Sequence, residues 1–272
     1  MVITVLGSAA AEGFPGLFCA CDICAEARRL GGKDLRRRTA YLLDDTIMVD
    51  FGPDAYHSMI ALGVDYAALR HLLVSHSHQD HWYPQELFFR RPGFSILAQG
   101  SHLDIHGNQA VADRLGGSVD DLARLSLAMN VVHAFEGIDL GEGLTAVGVK
   151  ADHAGDEEAL NWLVRTPTGA VLFGNDTGWY PQETWDFLVG AGLKVAILDC
   201  TSASLPHREG HMGVAAVVEA REMLDKIGAL SPGARVIANH FSHNGRMLHA
   251  DLEAYLNPHG IEVGWDGLRI DL

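Results

Sequence analysis

Short apolar runs alternate with stretches of helical periodicity along most of this 272-residue chain. The apolar runs predict strands at 1–6, 39–43, 46–50, 70–75, 130–135, 144–149, 159–166, 170–174, 194–198, 235–238, 261–264 and 268–272. The helical patterns predict helices near 54–62, 84–90, 107–114, 118–128, 182–190, 213–227 and 248–256. Hairpin groups of strands that alternate with helices favour an α/β fold, in which two mixed β-sheets pack face to face and helices cover the outside.

No proline- or serine-rich linker divides the chain, so we expect a single domain over residues 1–272. The longest apolar runs are shorter than the roughly 18 residues that a membrane helix needs. The N-terminal segment Met1-Val2-Ile3-Thr4-Val5-Leu6-Gly7 is typical of a strand that enters a glycine turn, and it lacks the basic start of a secretory signal. These features predict a cytoplasmic protein with no membrane partner.

The net charge of −15 disfavours nucleic acid as a partner, because binding to phosphate backbones usually depends on a basic surface. The one basic cluster comprises Arg28, Arg29, Lys33, Arg36, Arg37 and Arg38. A solvated helix end and loop is the favoured interpretation of such a charge run. The alternative is a phosphate-facing rim, for which Arg38, beside the predicted strand 39–43, is the best candidate.

The densest chemistry lies in the segment His76-Ser77-His78-Gln79-Asp80-His81, directly after an apolar run. Its four potential ligands would repel one another and lose hydration if no cation bound them. His76 and His78 can reach one cation, and Asp80 and His81 can reach a second. The segment therefore predicts a metal site rather than a histidine-rich surface turn.

This H-x-H-x-D-H arrangement after a strand resembles the signature of the metallo-β-lactamase superfamily, whose fold is an αβ/βα sandwich. The resemblance implies further ligands in distant loops, and three residues at the ends of strand-like runs match them: His153, Asp176 and His240. One ion would be held by His76, His78 and His153, the other by Asp80, His81 and His240, with Asp176 bridging the two.

Two adjacent divalent ions, zinc or manganese, would lower the pKa of a bridging water and neutralise an anionic substrate. Asp80 and Asp176 would thus take part in catalysis through the ions they hold. Asp50, at the end of the predicted strand 46–50, is either an orienting partner of a ligand imidazole or a strand-end cap.

The cysteines are unevenly placed, with Cys19, Cys21 and Cys24 in a C-x-C-x2-C pattern and Cys200 alone. Three thiolates at this spacing suit a structural zinc, for which His243 is the predicted fourth ligand. Such a zinc would tie the N-terminal loop to the loop that carries His240. The alternative is three reduced cysteines in a mobile loop. Cys200 follows an apolar strand and is predicted to be a core thiol.

Two groups within the superfamily resemble this chain more closely. The segment 7–15, followed by the three cysteines, is similar both to PhnP-type phosphoribosyl cyclic phosphate phosphodiesterases and to PqqB proteins of pyrroloquinoline quinone biosynthesis. Its Ser-Ala-Ala and Gly-Phe-Pro are closer to PqqB, but PqqB proteins lack the intact H-x-H-x-D-H. Asn-His-Phe-Ser-His at 239–243 and Leu-Asp-Cys-Thr at 198–201 resemble PhnP, and the similarity runs from the first strand to the last.

The resemblance to PhnP implies a catalytic histidine after the Asp199-Cys200 strand end, and His211 matches it, although its neighbours differ from the PhnP pattern. An imidazole of near-neutral pKa can protonate a poor alkoxide leaving group. Glu209 is a candidate for orienting this imidazole. The alternative is a loop histidine that is merely hydrogen-bonded or caps the following helix. The differing neighbours leave the substrate open.

Residues 100–130, predicted as two helices over the site, resemble the variable insertion that shapes a substrate pocket. The remaining histidines, at 57, 71, 102, 106, 133, 207, 249 and 259, are expected to have no catalytic role.

The expected function is a dinuclear-metal phosphodiesterase (EC 3.1.4 type) that acts on a small phosphate ester, a cyclic ester included. Another hydrolase on this scaffold (a lactonase, a thioesterase or a tRNA 3′-processing nuclease) stays open, as does a non-hydrolytic role like that suggested for PqqB. The acidity of the chain argues against the nuclease, and the intact ligands argue against the non-hydrolytic role. A homodimer is also left open.

Overall fold

The computed structural model describes residues 1–272. Its strands are β1 (Val2–Gly7), β2 (Ala40–Leu43), β3 (Ile47–Val49), β4 (His71–Leu73), β5 (Leu103–Gly107), β6 (Leu127–Val131), β7 (Gly137–Gly141), β8 (Leu144–Lys150), β9 (Leu160–Thr166), β10 (Gly169–Gly174), β11 (Leu193–Asp199), β12 (Leu230–Asn239), β13 (Ile261–Val263) and β14 (Arg269–Asp271). Its α-helices are α1 (Asp22–Leu30), α2 (Ala55–Leu62), α3 (Gln109–Leu115), α4 (Val119–Arg124), α5 (Gln182–Leu188), α6 (Val214–Lys226) and α7 (His249–Leu256). Short 3₁₀ helices lie at Gly32–Asp34, Tyr66–Ala68, Pro84–Arg90, His243–Gly245 and Asn257–His259.

The strands form two seven-stranded sheets that follow the same plan. The first sheet has the order β14-β1-β2-β3-β4-β5-β6, with antiparallel pairs from β14 to β3 and parallel pairs from β3 to β6. The second has the order β13-β12-β11-β10-β9-β8-β7, with antiparallel pairs from β7 to β10 and parallel pairs from β10 to β13. The two halves therefore share a topology that no sequence repeat reveals.

Apolar side chains on both faces of each sheet fix the layers. In β10, Val171 and Phe173 belong to the core cluster between the sheets, while Leu172 packs in the cluster beneath the outer helices. In β11, Ile197 likewise belongs to the cluster between the sheets, and Leu198 belongs to the cluster beneath the outer helices. A strand that is buried on both faces has a continuous apolar sequence, which is why these runs are conspicuous. The predicted architecture of two packed mixed sheets with helices outside is confirmed.

The prediction for residues 100–130 is wrong. Residues 103–107 and 127–131 are strands β5 and β6 of the first sheet, with α3 and α4 between them, so this segment is part of the fold rather than an insertion. Strand β7, which lies at the edge of the second sheet, was not predicted either. Only Leu140 of β7 is buried, so its apolar pattern is weak. The predicted strand 130–135 overlaps β6 by only its first two residues.

Helix α1 is also absent from the predicted helices, because it buries only two small side chains, Cys24 and Ala27. The predicted helix 84–90 is a 3₁₀ helix that begins at Pro84. None of the helices has the length and apolar composition that a membrane crossing requires.

Candidate metal centres and active site

The predicted ligands of the dinuclear centre all follow strand ends on one side of the two sheets. The segment 76–81 follows β4, His153 follows β8, Asp176 follows β10 and His240 follows β12. The carboxyl ends of parallel strands meet at the same edge of a sheet, so residues that are distant in sequence come together there. Asp176 and His240 have positive φ angles of 50° and 65°, which are uncommon for residues other than glycine and concentrate at functional sites.

The loop after β4, residues 75–82, is called the histidine loop below. It packs against the end of β3, where the backbone N–H of Phe51 donates to the carbonyl of His81 at 2.7 Å. Gly52 allows this approach, because a Cβ atom there would lie 1.9 Å from the carbonyl oxygen of Asp80. A glycine at this position is therefore a requirement of the site.

The first ligand group contains His76, His78 and His153, whose ligand atoms lie within 4.8 Å of one another. Nε2 of His76 is 2.9 Å from Nδ1 of His78, and Nε2 of His153 is 3.4 Å from the same Nδ1. The outer nitrogen of His76 lies 3.0 Å from the hydroxyl of Ser75. The outer nitrogen of His153 donates to the carbonyl of Gly210 at 3.2 Å. These outer contacts fix the ring orientations.

The second group contains Asp80, His81, Asp176 and His240, again within 4.8 Å, and all four residues are buried or nearly so. Asp176 lies between the two groups. Its Oδ2 contacts Nε2 of His81 and is 3.2 Å from Nε2 of His240, while its Oδ1 is 3.9 Å from Nε2 of His153 in the first group. The structure thus brings together every residue that the sequence assigned to the dinuclear centre.

The second group suits a cation. His81 donates from Nδ1 to Oδ2 of Asp50 at 2.7 Å, so Nε2 is the nitrogen that faces the rest of the group. Burial would lower the pKa of His81, but the carboxylates of Asp80, Asp176 and Asp50 raise it well above its usual value, so this site favours a positive charge, which a proton or a metal ion can supply. Nε2 of His81, Nε2 of His240 and Oδ2 of Asp176 are buried and close together, but none of their contacts has hydrogen-bond geometry. A metal ion bound by these three atoms would satisfy them.

Asp50 has both of the roles considered for it. Besides orienting His81, it accepts the backbone N–H of Ser75 at 2.8 Å and so caps the start of the histidine loop.

The charges around Asp176 favour its ionised form. Burial alone would raise the pKa of Asp176, but the facing imidazoles of His240 and His81 hold it well below its usual value. Burial lowers the pKa of His76 well below its usual value, which keeps this ring neutral and able to bind a metal.

His211 lies at the open side of the centre, beside Asp199 rather than Glu209. Its Nδ1 is 3.1 Å from Oδ2 of Asp199 and 3.6 Å from Oδ1 of Asp176. Burial would lower its pKa, but the hydrogen bond to Asp199 and the nearby carboxylates raise it to about 9. The prediction that Glu209 orients this ring is therefore wrong.

Asp199, which sequence reasoning named only as a landmark, is fully buried and organises this wall. Its carboxylate accepts backbone N–H groups from Asp176, Thr201 and Met212 at 2.9–3.1 Å, as well as the hydroxyl of Thr201 at 2.8 Å. Because its two oxygens already accept these hydrogen bonds and lie beside Nδ1 of His211, Asp199 holds the surrounding loops in place and is not assigned as a metal ligand. Its position at the end of β11, like that of Asp176 after β10, is the signal that could have identified it.

The two groups open into a cavity of about 430 Å³. It is lined by Ala10, Ala11, Glu12, His78, Asp80, His153, Asp176, Thr201, Ser202, Leu205, His207, His211, His240, Ser242 and Asn244. His207, which we expected to have no catalytic role, belongs to this lining, and its Nδ1 is 3.0 Å from the hydroxyl of Ser202. The lining contains neither lysine nor arginine, and no residue from 100–130.

Arg38, the candidate for a phosphate-facing rim, does not line the cavity. Its guanidinium forms an ion pair with Asp54 at 3.0 Å and donates to the carbonyl of Ala11 at 2.9 Å. The residue therefore supports a loop of the cavity wall from behind.

A larger cavity of about 750 Å³ lies elsewhere, between α2 and the segment 86–103. It is mostly apolar, with Phe51, Leu87 and Phe94 in its lining, and it contains none of the clustered histidines. The smaller polar cavity is therefore the candidate active site.

Cys19, Cys21, Cys24 and His243 form a separate group, called the cysteine cluster below, with ligand atoms within 4.8 Å of one another. Nδ1 of His243 is 3.7 Å from the sulfur of Cys19 and 3.7 Å from that of Cys21. Gly16 has to be a glycine here, because a Cβ atom would lie 2.7 Å from the ring of His243. Hydrogen bonding, first of all from the backbone of Cys24, lowers the pKa of Cys21 to about 6, which favours a thiolate. Three thiols and one imidazole fit a tetrahedral zinc site. Cys200 is fully buried, as predicted for a core thiol.

The fold and its histidine–aspartate groups define the protein as a metallo-β-lactamase-fold metal hydrolase. The model of the beta-lactamase superfamily domain matches residues 45–241, and the chain belongs to this superfamily. The predicted superfamily is confirmed.

Several solved structures share the fold over the full chain. A diphosphatase from the PhnP family is 22% identical, with a TM-score of 0.75 over 100% of this chain and 97% of the other. Zn²⁺-bound PqqB from Methylobacterium extorquens is 16% identical, with a TM-score of 0.75 over 100% of both chains. The short form of human tRNase Z is 14% identical, with a TM-score of 0.66 over 100% of this chain and 99% of the other. Among curated proteins, none matches this chain.

Proposed function

We propose that the protein is a phosphodiesterase (EC 3.1.4 type) that hydrolyses a small phosphate ester, cyclic or linear, in the polar cavity. The observation that carries the proposal is the arrangement of two ligand groups that meet at Asp176 beside an open cavity with His211 in its wall. Structural metal sites are closed, whereas catalytic sites keep an open position.

The first group, His76, His78 and His153, would hold one divalent ion, and Asp80, His81 and His240 would hold the other, with Asp176 shared. When bound, two such ions activate a water molecule and neutralise charge on a phosphoryl group. The contacts of Asp50 with His81 and of Gly210 with His153 leave Nε2 of each ring directed at the centre.

His211 supplies a proton to the leaving alkoxide in this proposal. Since Nδ1 is engaged with Asp199, Nε2 is the nitrogen that remains for the substrate. The hydrogen bond to the buried carboxylate of Asp199 favours the protonated ring, because it raises the pKa of His211. A protonated imidazole within reach of the leaving oxygen is a general acid.

The cavity favours a small substrate with little negative charge. Its volume of about 430 Å³ suits a metabolite-sized ester. Without lysine or arginine in the lining, and with Glu12 present, it offers no basic track for a polyanion. These features disfavour RNA as a substrate, in keeping with the net charge of −15.

A substrate panel tests the proposal. Metal-reconstituted protein is assayed with bis-p-nitrophenyl phosphate, cyclic nucleotides, lactones and thioesters, with chelated protein as the control. We expect phosphodiester turnover that chelation abolishes before the protein unfolds. Turnover of lactones or thioesters without any phosphodiester turnover would contradict the proposal.

A further inference from the structure

We propose that Glu157 is a positioning residue that holds the histidine loop in the shape that its metal-binding side chains require. This inference rests on the metal centre of the proposed function and extends it to a residue outside the ligand set. Glu157 lies in the loop that carries His153, and its carboxylate reaches the loop that carries His76 and His78. It therefore connects the two chain segments that together make the first ligand group.

Ser77, the residue between His76 and His78, is fixed at each of its polar groups. Its backbone N–H lies 3.1 and 3.0 Å from the two carboxylate oxygens of Glu157 and donates to them. Its hydroxyl donates to Oε1 of Glu157 at 2.8 Å, and its carbonyl accepts from the guanidinium of Arg114. Because the backbone between the two histidines is held on both sides, their imidazoles keep one relative orientation.

The carboxylate is itself anchored to a rigid part of the first sheet. Nδ2 of Asn108 donates to Oε2 of Glu157 at 2.8 Å and to the carbonyl of Glu158 at 2.8 Å. Oδ1 of the same buried side chain accepts the N–H of Val111 and so caps α3 at the end of β5. The histidine loop is thus tied through Glu157 to a helix start that contributes no ligand.

The position of Glu157 requires a carboxylate, because its surroundings offer only hydrogen-bond donors. All of its partners, which are the N–H and hydroxyl of Ser77 and the amide of Asn108, are donors. A glutamine at this position would offer one accepting oxygen, and its NH₂ group would face a donor. The substitution Glu157→Gln therefore preserves size and removes the match, and it also takes one negative charge from the surroundings of the ions.

Glu158 provides a matched control. Its carboxylate bonds Nδ1 of His133 at 2.9 Å and the N–H of Ala134 at 3.2 Å, and it has no contact with the histidine loop. Glu158→Gln changes the charge and the side-chain type in the same way, one residue further along the chain.

The experiment measures Zn²⁺ affinity directly. Protein stripped of exchangeable ions is titrated with Zn²⁺ in competition with a chromophoric chelator, for the wild type, Glu157→Gln and Glu158→Gln. We expect Glu157→Gln to weaken binding of one ion about 10–100-fold, the usual cost of losing a partner that orients ligands, while Glu158→Gln binds like the wild type. Zinc in the cysteine cluster should stay the same in both variants.

Hydrogen exchange of the segment 74–82 in the stripped protein gives a readout that needs no metal. Exchange should be faster in Glu157→Gln than in the wild type or Glu158→Gln. Ser77→Ala, which removes only the hydroxyl, should weaken Zn²⁺ binding less, and should add little to Glu157→Gln because both act on the same bonds. If Glu157→Gln does not fold, unchanged affinity in Ser77→Ala would count against the inference, and reduced affinity would support it.

Equal Zn²⁺ affinity in Glu157→Gln and the wild type would overturn the inference, even if the wild type hydrolyses phosphodiesters. Conversely, a selective loss of affinity in Glu157→Gln, with a wild type that hydrolyses no phosphodiester, would reject the proposed function and leave the positioning role standing. A wild type that binds no ion at the first group would overturn both.

Discussion

The histidine–aspartate centre and the cysteine cluster are both groups of metal-binding side chains, but they differ in what surrounds them. The cysteine cluster has four donors, which make a complete tetrahedral set, and none of these four residues lines the polar cavity. The histidine–aspartate centre has Asp176 between two groups, a cavity of about 430 Å³ in front, and His211 at the cavity wall. If the proposed function is right, an open face and a proton donor, rather than the number of ligands, separate the reactive centre from the structural one.

The two centres are also physically connected. His240 and His243 lie in the same loop after β12, one in each centre. Glu12, which lines the cavity, contacts the hydroxyl of Ser242 and lies 3.5 Å from His243. A zinc ion in the cysteine cluster would therefore stabilise a loop and a wall residue of the reactive centre without taking part in its chemistry.

The largest effect is expected at the residue that the two ligand groups share. Asp176→Asn removes the charge that faces both groups, so exchangeable metal should be lost and turnover should fall by about 10⁴-fold or more, as for a core member of a catalytic unit. Elemental analysis should show about three ions per chain in the wild type and fewer in the variant, with the zinc of the cysteine cluster retained. Asp225→Asn, at an exposed site on α6, is the control. Full retention of the exchangeable ions by Asp176→Asn would rule out the bridging role.

His211→Ala tests whether the open face contains a proton donor. Metal content should be unchanged, and the rate with alkoxide-leaving esters should fall on the order of 10²–10⁴-fold. The loss should be much smaller with p-nitrophenyl esters, since that leaving group needs no proton. His207→Ala, in the same cavity lining, should affect both ester types alike. Equal losses for His211→Ala on the two ester types would point to substrate positioning instead.

Cys21→Ser tests the closed centre. Loss of a structural metal is among the changes that cost about 4 kcal/mol or more, which in a domain of this size lowers Tm by about 10 °C. Zinc content should fall, while the folded fraction keeps measurable turnover, because the cysteine cluster does no chemistry. Cys200→Ala, which alters a core thiol, should keep all of the zinc. Loss of turnover at unchanged stability and zinc content would contradict the structural assignment.

The smallest effect concerns a histidine pair that belongs to neither centre. Nδ1 of His71 lies 3.4 Å from Nε2 of His106, and burial, together with the neighbouring His71, lowers the pKa of His106 to about 4, although Asp104 opposes this. Because an unfolded histidine titrates near 6.5, the unfolded chain takes up a proton before the folded one does. The contribution of neutral His106 to the free energy of unfolding is therefore complete above pH 6.5 and is lost as the pH falls from 6.5 towards 4.

This pair can be tested by chemical denaturation from pH 8 to pH 5. His106 should contribute about 2 kcal/mol to the loss of unfolding free energy by pH 5. His106→Gln should remove that part of the pH dependence, whereas His102→Gln, at an exposed site, should leave it. If the unfolding free energy of His106→Gln falls with pH as steeply as that of the wild type, the buried His106 is not the cause of this pH dependence.

Sequence reasoning worked best where a strand is buried on both faces or where ligands are crowded into one segment. Strands such as β10 and β11 have continuous apolar sequences. The segment 76–81 was recognised as a metal site because four potential ligands lie within six residues. It failed at the edge strand β7 and at α1, which bury few or small side chains and so have weak patterns. The supposed insertion at 100–130 failed for a related reason, since β5 has polar residues at Asp104 and His106 between its apolar positions.

Residue type and periodicity were enough to predict a metal site at the segment 76–81, because the density of donors and the preceding apolar strand are local properties. The resemblance to the superfamily was needed to add His153, Asp176 and His240. The residues that surround these ligands could be identified only from the folded chain. Asp199 rather than Glu209 faces His211, Glu157 fixes Ser77, and His207 enters the cavity wall. These contacts join residues from separate loops, and their geometry is set by how the strands pair and how the two sheets pack, which no local pattern records.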